Sequence, residues 1–359
     1  MKSNQVSRSF LRGATLIETC ISLGIVAILI GLLLPAVQSS REQARRTQCA
    51  HHLAQILKAI HAFDATQGSL PPAARSHAIP PRANRAPTSI GIYSLQCLIL
   101  PFLDQSPLFH SINFDDLSQL EPGAIHLVQA TVARTVVGVY LCPSDPHQHI
   151  IAPFAPNSYR ASRGTGGTAP RPSPVPGLPS LSHIRDGAFS LYDHEKPQFA
   201  QISDGLSSTI AFSEKPIGSF DGSYHPFRDW SFHPNSFFPI GFDNLTADDL
   251  IKECSSPIST DPRPPTWKSW TAGSSWMRPG PIFTQFFTAA PPNANVPDCM
   301  VALPPYVGVF SARSYHPGGV NAAMCDGSVR WFTSSTDRLI WRALGTRAGG
   351  EVITTASFP

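Results

Sequence analysis

LIETCISLGIVAILIGLLLPAV, residues 16–37, followed by QSSREQARRTQCAHHLAQILKAIHAFDATQGSLPP, residues 38–72, decides the fold of this chain. The first stretch has Glu18 as its single charge and is about the 20 residues that a helix needs to cross a hydrocarbon core. Residues 1–13, MKSNQVSRSFLRG, carry Lys2, Arg8 and Arg12 and no acid, which keeps this flank cytoplasmic and sends the rest of the chain outside. The second stretch is polar, yet Leu53, Ile56, Leu57, Ile60 and Phe63 recur at spacings of three and four, one buried stripe of a helix. Gly68 and Pro71-Pro72 end it. A single helix from Leu16 to about Thr66 would be roughly 75 Å long, with a local disturbance at Pro35.

The division expected is a basic leader 1–13, a membrane part 14–37, a soluble helical part 38–67, and an extracytoplasmic domain 68–359. With 42% hydrophobic and 14% charged residues in 359, that domain can bury a core. Its 36 Pro and 25 Gly rule out an all-helical body and predict short strands and long irregular connections. A formal charge of +3, with no basic run beyond Arg41 to Arg46, gives nucleic-acid binding no support. Cys20 lies in the apolar segment; Cys49, Cys97, Cys142, Cys254, Cys299 and Cys325 either bridge outside the cytoplasm or remain buried thiols, and no CxxC pair marks a zinc ribbon.

Within the body, the apolar Gly91 to Phe109 run should pack on the N-terminal helix, and Val136 to Leu141 reads as a strand stopped by Cys142-Pro143. Thr209 to Phe212 reads as another strand, and residues 216–310 as an irregular insert. Val320 to Cys325 and Ser328 to Thr333 flank Asp326-Gly327, a dipeptide that favours a type I′ turn, so 316–333 should be a hairpin. The fold class expected is α+β, a long helix on an antiparallel sheet.

Glu18 is the unusual residue of the membrane stretch, since a carboxylate costs up to roughly 2.5–3.5 kcal/mol at the bilayer centre and less near the interface. Three readings of this N-terminus compete: a cleaved secretory signal, a plain signal anchor and a pilin-type leader. Gly13-Ala14-Thr15-Leu16-Ile17-Glu18 resembles the cleavage and methylation signal of type IV prepilins and type II secretion pseudopilins. That resemblance implies a cut between Gly13 and Ala14 by a prepilin peptidase, a pilin-like architecture, and a Glu18 that pairs with the amino terminus of a neighbouring subunit. Ala14 departs from the Phe more common after the cut. His316, nine residues, then Asp326-Gly327 resembles a prepilin-type processing-associated C-terminal domain, in a bacterial family of unknown function.

What the resemblance implies is a structural or accessory subunit of a pseudopilus-like assembly, held in the bacterial inner membrane, with prepilin peptidase and other pilin-like subunits as partners. The alternative is an envelope-anchored binding module for glycan or protein. It would use Trp230, Trp267, Trp270 and Trp276 with Phe237, Phe238, Phe286 and Phe287 as a stacking surface, although such aromatics also fill small cores. No enzyme is expected: GxSxG and HExxH are both absent, and Asp326 has an ordinary place in a turn, so a catalytic His316–Asp326 pair is the weaker reading. No cofactor is expected. Calcium is the one ion considered, with Asp204, Glu214 and Asp326 as oxygen donors outside any EF-hand pattern. His51, His52 and His61 are expected on a solvated helix face rather than in a metal site.

Overall fold

A helix, α1 (Leu16–Gln67), runs unbroken through 52 residues with Pro35 inside it. Its start is fixed by a pair of side chains close in sequence. Glu18 Oε2 accepts from the Thr15 N–H at 2.9 Å and the Thr15 hydroxyl at 3.0 Å, while Thr15 Oγ1 accepts from the Glu18 N–H at 3.3 Å. This is a capping box, in which a Thr and a Glu three residues on satisfy the donors that a helix start leaves unpaired. Glu18 therefore has a partner within its own chain. The helix ends as expected, at Gly68, whose φ of 68° suits glycine and whose N–H donates to the Asp64 carbonyl at 2.8 Å.

The computed structural model describes residues 15–79, 88–115, 129–148, 154–166, 168–170, 181–183, 186–189, 196–221, 223–232, 245–255, 268–269, 271–302 and 307–351. Gly13, Ala14, Phe237, Phe238, Trp267 and Trp270 lie outside them. Residues 1–45 and 46–359 form two separate units. In the first, Leu23, Ile28 and Leu32 are 64, 64 and 69% exposed. Side chains of that kind, uncovered along a run long and apolar enough to cross a membrane, are consistent with a lipid-embedded anchor and an extracytoplasmic body.

In the second unit the strands are β1 (Ala74–Ile79), β2 (Thr88–Ser94), β3 (Tyr159–Ser162), β4 (Thr168–Pro170), β5 (Leu181–His183), β6 (Ile210–Glu214), β7 (Trp230–Phe232), β8 (Lys268–Ser269), β9 (Gln285–Phe286), β10 (Asp298–Ala302), β11 (Val307–Val309), β12 (Gly319–Met324) and β13 (Val329–Thr333). The main sheet has the order β13-β12-β6-β3-β9, a second sheet β11-β10-β7-β8, and β1-β2 and β4-β5 are separate pairs. The α+β class holds, but the sheets are mixed rather than antiparallel, because β3 pairs β9 and β7 pairs β10 in parallel. Parallel partners need long connections, and the segment 216–310 supplies them. That segment is no detached insert. It gives β9 to the main sheet and the fully buried Trp276 to the main core, while keeping a core of its own around Leu250, Cys254, Cys299 and Val307.

The stripe read from the sequence is the face that enters the main core. Leu53, Ile56, Leu57 and Ile60 are buried with Leu95, Ile99 and Leu100 from the Gly91 to Phe109 run, and with Tyr159 and Phe212 from β3 and β6. Phe63 meets Phe102 edge-on at 6.1 Å. Each fully buried Leu or Ile contributes about 1.5–3 kcal/mol, so these turns hold the helix to the sheet.

Two local expectations change. Val136 to Leu141 is not a strand: Gly138–Tyr140 is a 3-10 turn, and the Tyr140 hydroxyl donates to the Gln96 carbonyl at 2.7 Å, a side-chain anchor in place of a ladder. The β12–β13 hairpin forms with Ala323 opposite Val329, but its turn is not type I′. The Gly327 N–H donates to the Met324 carbonyl at 3.0 Å and the Met324 N–H to the Ser328 carbonyl at 2.8 Å, with only Gly327 at positive φ, 90°. This is the three-residue loop ending in a left-handed glycine.

Candidate functional site

Four residues far apart in the sequence converge where α1 meets the main sheet. Cys49 lies on α1, and Cys142 follows the Gly138–Tyr140 turn. Glu214 ends β6, and His316 precedes β12. They are 0, 5, 2 and 2% exposed respectively. Cys49 and Cys142 form a disulfide with their Cα atoms 5.2 Å apart. His316 Nε2 stands 3.5 Å from Cys142 Sγ and 3.3 Å from Glu214 Oε1. One ligating atom from each of the four lies within 4.8 Å of all the others.

The carboxylate is held from behind. Asn321, on β12, donates its N–H to Glu214 Oε2 and its side-chain Nδ2–H to Oε1, both at 2.8 Å. Antiparallel pairing of β6 with β12 brings Asn321 beside Glu214, with Ala322 opposite Ser213. His316 is steadied by its N–H, which donates to Ser314 Oγ at 3.1 Å, and by an edge-on Trp331 at 6.3 Å. Two sulfurs, an imidazole nitrogen and a carboxylate oxygen are the donor types that zinc-class cations take.

The surroundings are charged. A void of about 10 Å³ is lined by Cys142, Glu214, Lys215, Arg313 and neighbours. Lys215 is fully buried, pairs with Asp298 and donates to the Ser311 carbonyl at 3.0 Å. Burial lowers its ammonium to about 7, against the opposing pull of Asp298. Arg160 is lowered to about 9 by burial and donates to the carbonyls of Pro281 at 3.0 Å and Pro216 at 3.3 Å. Asp145, from the LCPSDP run, accepts from the Ile217 N–H at 2.8 Å and thereby fixes the chain just after Glu214 and Lys215.

The residues singled out from the sequence are distributed differently than expected. His316 joins the cluster; Asp326 does not. Asp326 is exposed in the hairpin turn, where Oδ1 accepts from the Ser328 N–H at 2.9 Å and hydroxyl at 2.7 Å, and Gly327 supplies the turn's positive φ. Asp204 binds the C-terminal segment, accepting from the N–H groups of Gly349 at 2.7 Å and Gly350 at 2.9 Å. The three carboxylates considered for calcium thus serve three different places. His52 is half-buried, its Nδ1 3.0 Å from the Leu141 carbonyl, and His61 stacks on Phe199 at 4.4 Å, so of the three helix histidines only His51 is exposed. Trp276, Phe286 and Phe287 are interior residues, and Trp230 packs against Phe310 at 6.4 Å, so none of them builds an open stacking surface.

A second feature is an open cleft of about 210 Å³ beside the C-terminal end of α1, with Phe63, Leu70 and Leu98 on its walls and Arg75 and Lys196 among its polar residues. It shares no residue with the cluster.

One family model, described as a protein of unknown function (DUF1559), matches residues 38–339. No curated protein and no solved structure matches the chain. The match overturns the pilin-type resemblance drawn from Gly13, Glu18 and the His316-to-Gly327 pattern, because the family model that covers most of the chain is not a prepilin or pseudopilin one. With that resemblance go the pilus or secretion subunit, the prepilin peptidase and the pilin-like neighbours that it implied.

Proposed function

The chain belongs to this family of proteins of unknown function, and from that premise we propose that it is a membrane-anchored binding module whose binding centre is the buried Cys49, Cys142, Glu214 and His316 cluster. The single observation that carries the reading is the convergence of four metal-competent side chains from four separate segments, with Asn321 orienting the carboxylate among them. The ligand is a metal cation, and the role is capture rather than turnover. The apolar part of α1 holds the module in a bacterial cytoplasmic membrane, with the body on the outer side.

The test is equilibrium dialysis of the detergent-solubilised chain, under reducing conditions, against zinc, copper and calcium in turn. Stoichiometric retention of a zinc-class ion, abolished by His316→Gln, supports the reading. Retention of none of the three ions would sink it.

The cleft favours a second reading. Apolar walls with Arg75 and Lys196 suit an organic ligand with an acidic group, such as a segment of protein or an acidic glycan. Binding of such a ligand that is lost on Arg75→Glu and kept on His316→Gln would move the function to the cleft.

A further inference from the structure

Cys49 and Cys142 cannot serve as a disulfide and as two metal ligands at once, yet they sit where both uses are available. A tetrahedral zinc site built from thiolate, imidazole and carboxylate has neighbouring ligand atoms roughly 3.3–3.8 Å apart. Cys142 Sγ to His316 Nε2 is 3.5 Å and His316 Nε2 to Glu214 Oε1 is 3.3 Å, so two edges of such a tetrahedron already stand. A Cα separation of 5.2 Å is short enough for the bond and leaves the sulfurs free to part by side-chain rotation.

We propose that the disulfide is a redox gate on the metal site: the chain binds a zinc-class cation only after the Cys49–Cys142 bond is reduced. The proposal rests on the binding reading above and adds its control. A dithiol reductant attacks the bond, the Cys49 Sγ to Cys142 Sγ bond breaks, and two thiols form as the reductant leaves as its own cyclic disulfide. The cation then displaces one proton from each thiol and takes both sulfurs. His316 contributes the Nε2 lone pair with its proton held on Nδ1, and Glu214 contributes Oε1. Two thiolates and one carboxylate around a dication leave one net negative charge, and Lys215 and Arg313 line the adjoining void. Reoxidation by a disulfide-forming partner withdraws both sulfurs and releases the ion. Outside the cytoplasm the closed state is the resting one.

The test is cobalt titration of the detergent-solubilised full chain, with and without a phosphine reductant, followed by absorption and far-UV circular dichroism. The expected result is tetrahedral d–d bands and a thiolate-to-cobalt charge-transfer band in the reduced chain alone. His316→Gln should weaken affinity at least tenfold, and Cys254→Ser with Cys299→Ser should leave the bands in place. Equal binding by the oxidised chain overturns the gate and leaves the binding reading standing. No binding in either state overturns both. Bands that persist in Cys49→Ser with Cys142→Ser, or loss of the dichroism on reduction, overturn the assignment of these two cysteines as gate and ligands.

Discussion

Glu214 Oε1 lies 3.3 Å from His316 Nε2, with both side chains all but closed to solvent. A carboxylate so placed is costly unless its oxygens are satisfied, and here Asn321 satisfies both. The pair is thus held by the edge-to-edge pairing of β6 with β12, and its geometry depends on sheet register.

Removal of the Asn321 side chain tests that dependence. Asn321→Ala deletes one donor to Glu214 and should lower stability by about 1–3 kcal/mol, read as a shift of the urea midpoint without a change of slope. An unshifted midpoint would show that the carboxylate finds another donor.

The cysteines give a chemical prediction. Peptide mapping without reduction should recover a Cys49–Cys142 and a Cys254–Cys299 linkage, with Cys97 and Cys325 unbridged. Both thiols are buried, which raises Cys97 to about 12 and pushes Cys325 up as well, so neither forms thiolate readily. Alkylation at pH 8 should label them only after denaturation.

Stability should fall in mildly acidic solution. Burial holds the His52 imidazole below its ordinary value of 6.5, so the unfolded chain binds the proton more readily than the folded one. The contribution of His52 is fully present above pH 6.5 and is lost as pH falls below that value and through the lowered value of the folded chain. A series of urea midpoints from pH 7.5 to 5.5 should slope downward, and His52→Gln should flatten part of the slope.

The two halves of α1 should respond differently to truncation. Leu53→Ala opens a hole in the main core and should cost about 2–5 kcal/mol. Ile28, 64% exposed and in the other unit, should change the unfolding free energy of the body by less than about 0.5 kcal/mol on substitution by Ala. Equal effects would contradict this division of labour.

Periodicity and end signals are local properties, and the features they govern were legible before the structure. The Leu53 to Phe63 stripe, the stop at Gly68 and the hairpin around Asp326-Gly327 all follow from neighbours in sequence. The capping box is equally local, a Thr15 and a Glu18 three residues apart, but it stands inside an apolar run whose composition speaks for a membrane rather than for a helix start. The parallel β3–β9 pairing was not legible, because it joins residues 161 and 285 across a segment without regular pattern. The cluster was harder still. Cys49, Cys142, Glu214 and His316 follow no common spacing, and only a three-dimensional register brings them together. The Cys142-Pro143 stop reads as a turn, the Thr209 to Phe212 strand stops short of Glu214, and nothing in either run names the other as a partner.

The disulfide from α1 to Cys142 has a consequence for how the body can be parted from its apolar helix. A protease that cuts anywhere between residues 50 and 141 leaves two fragments joined through sulfur, one carrying the apolar helix and the other most of the sheet. The nicked protein is retained. For a cut inside that loop, release of the body takes a second event, reduction, so the amount released by such a cut reports the oxidation state of one bond.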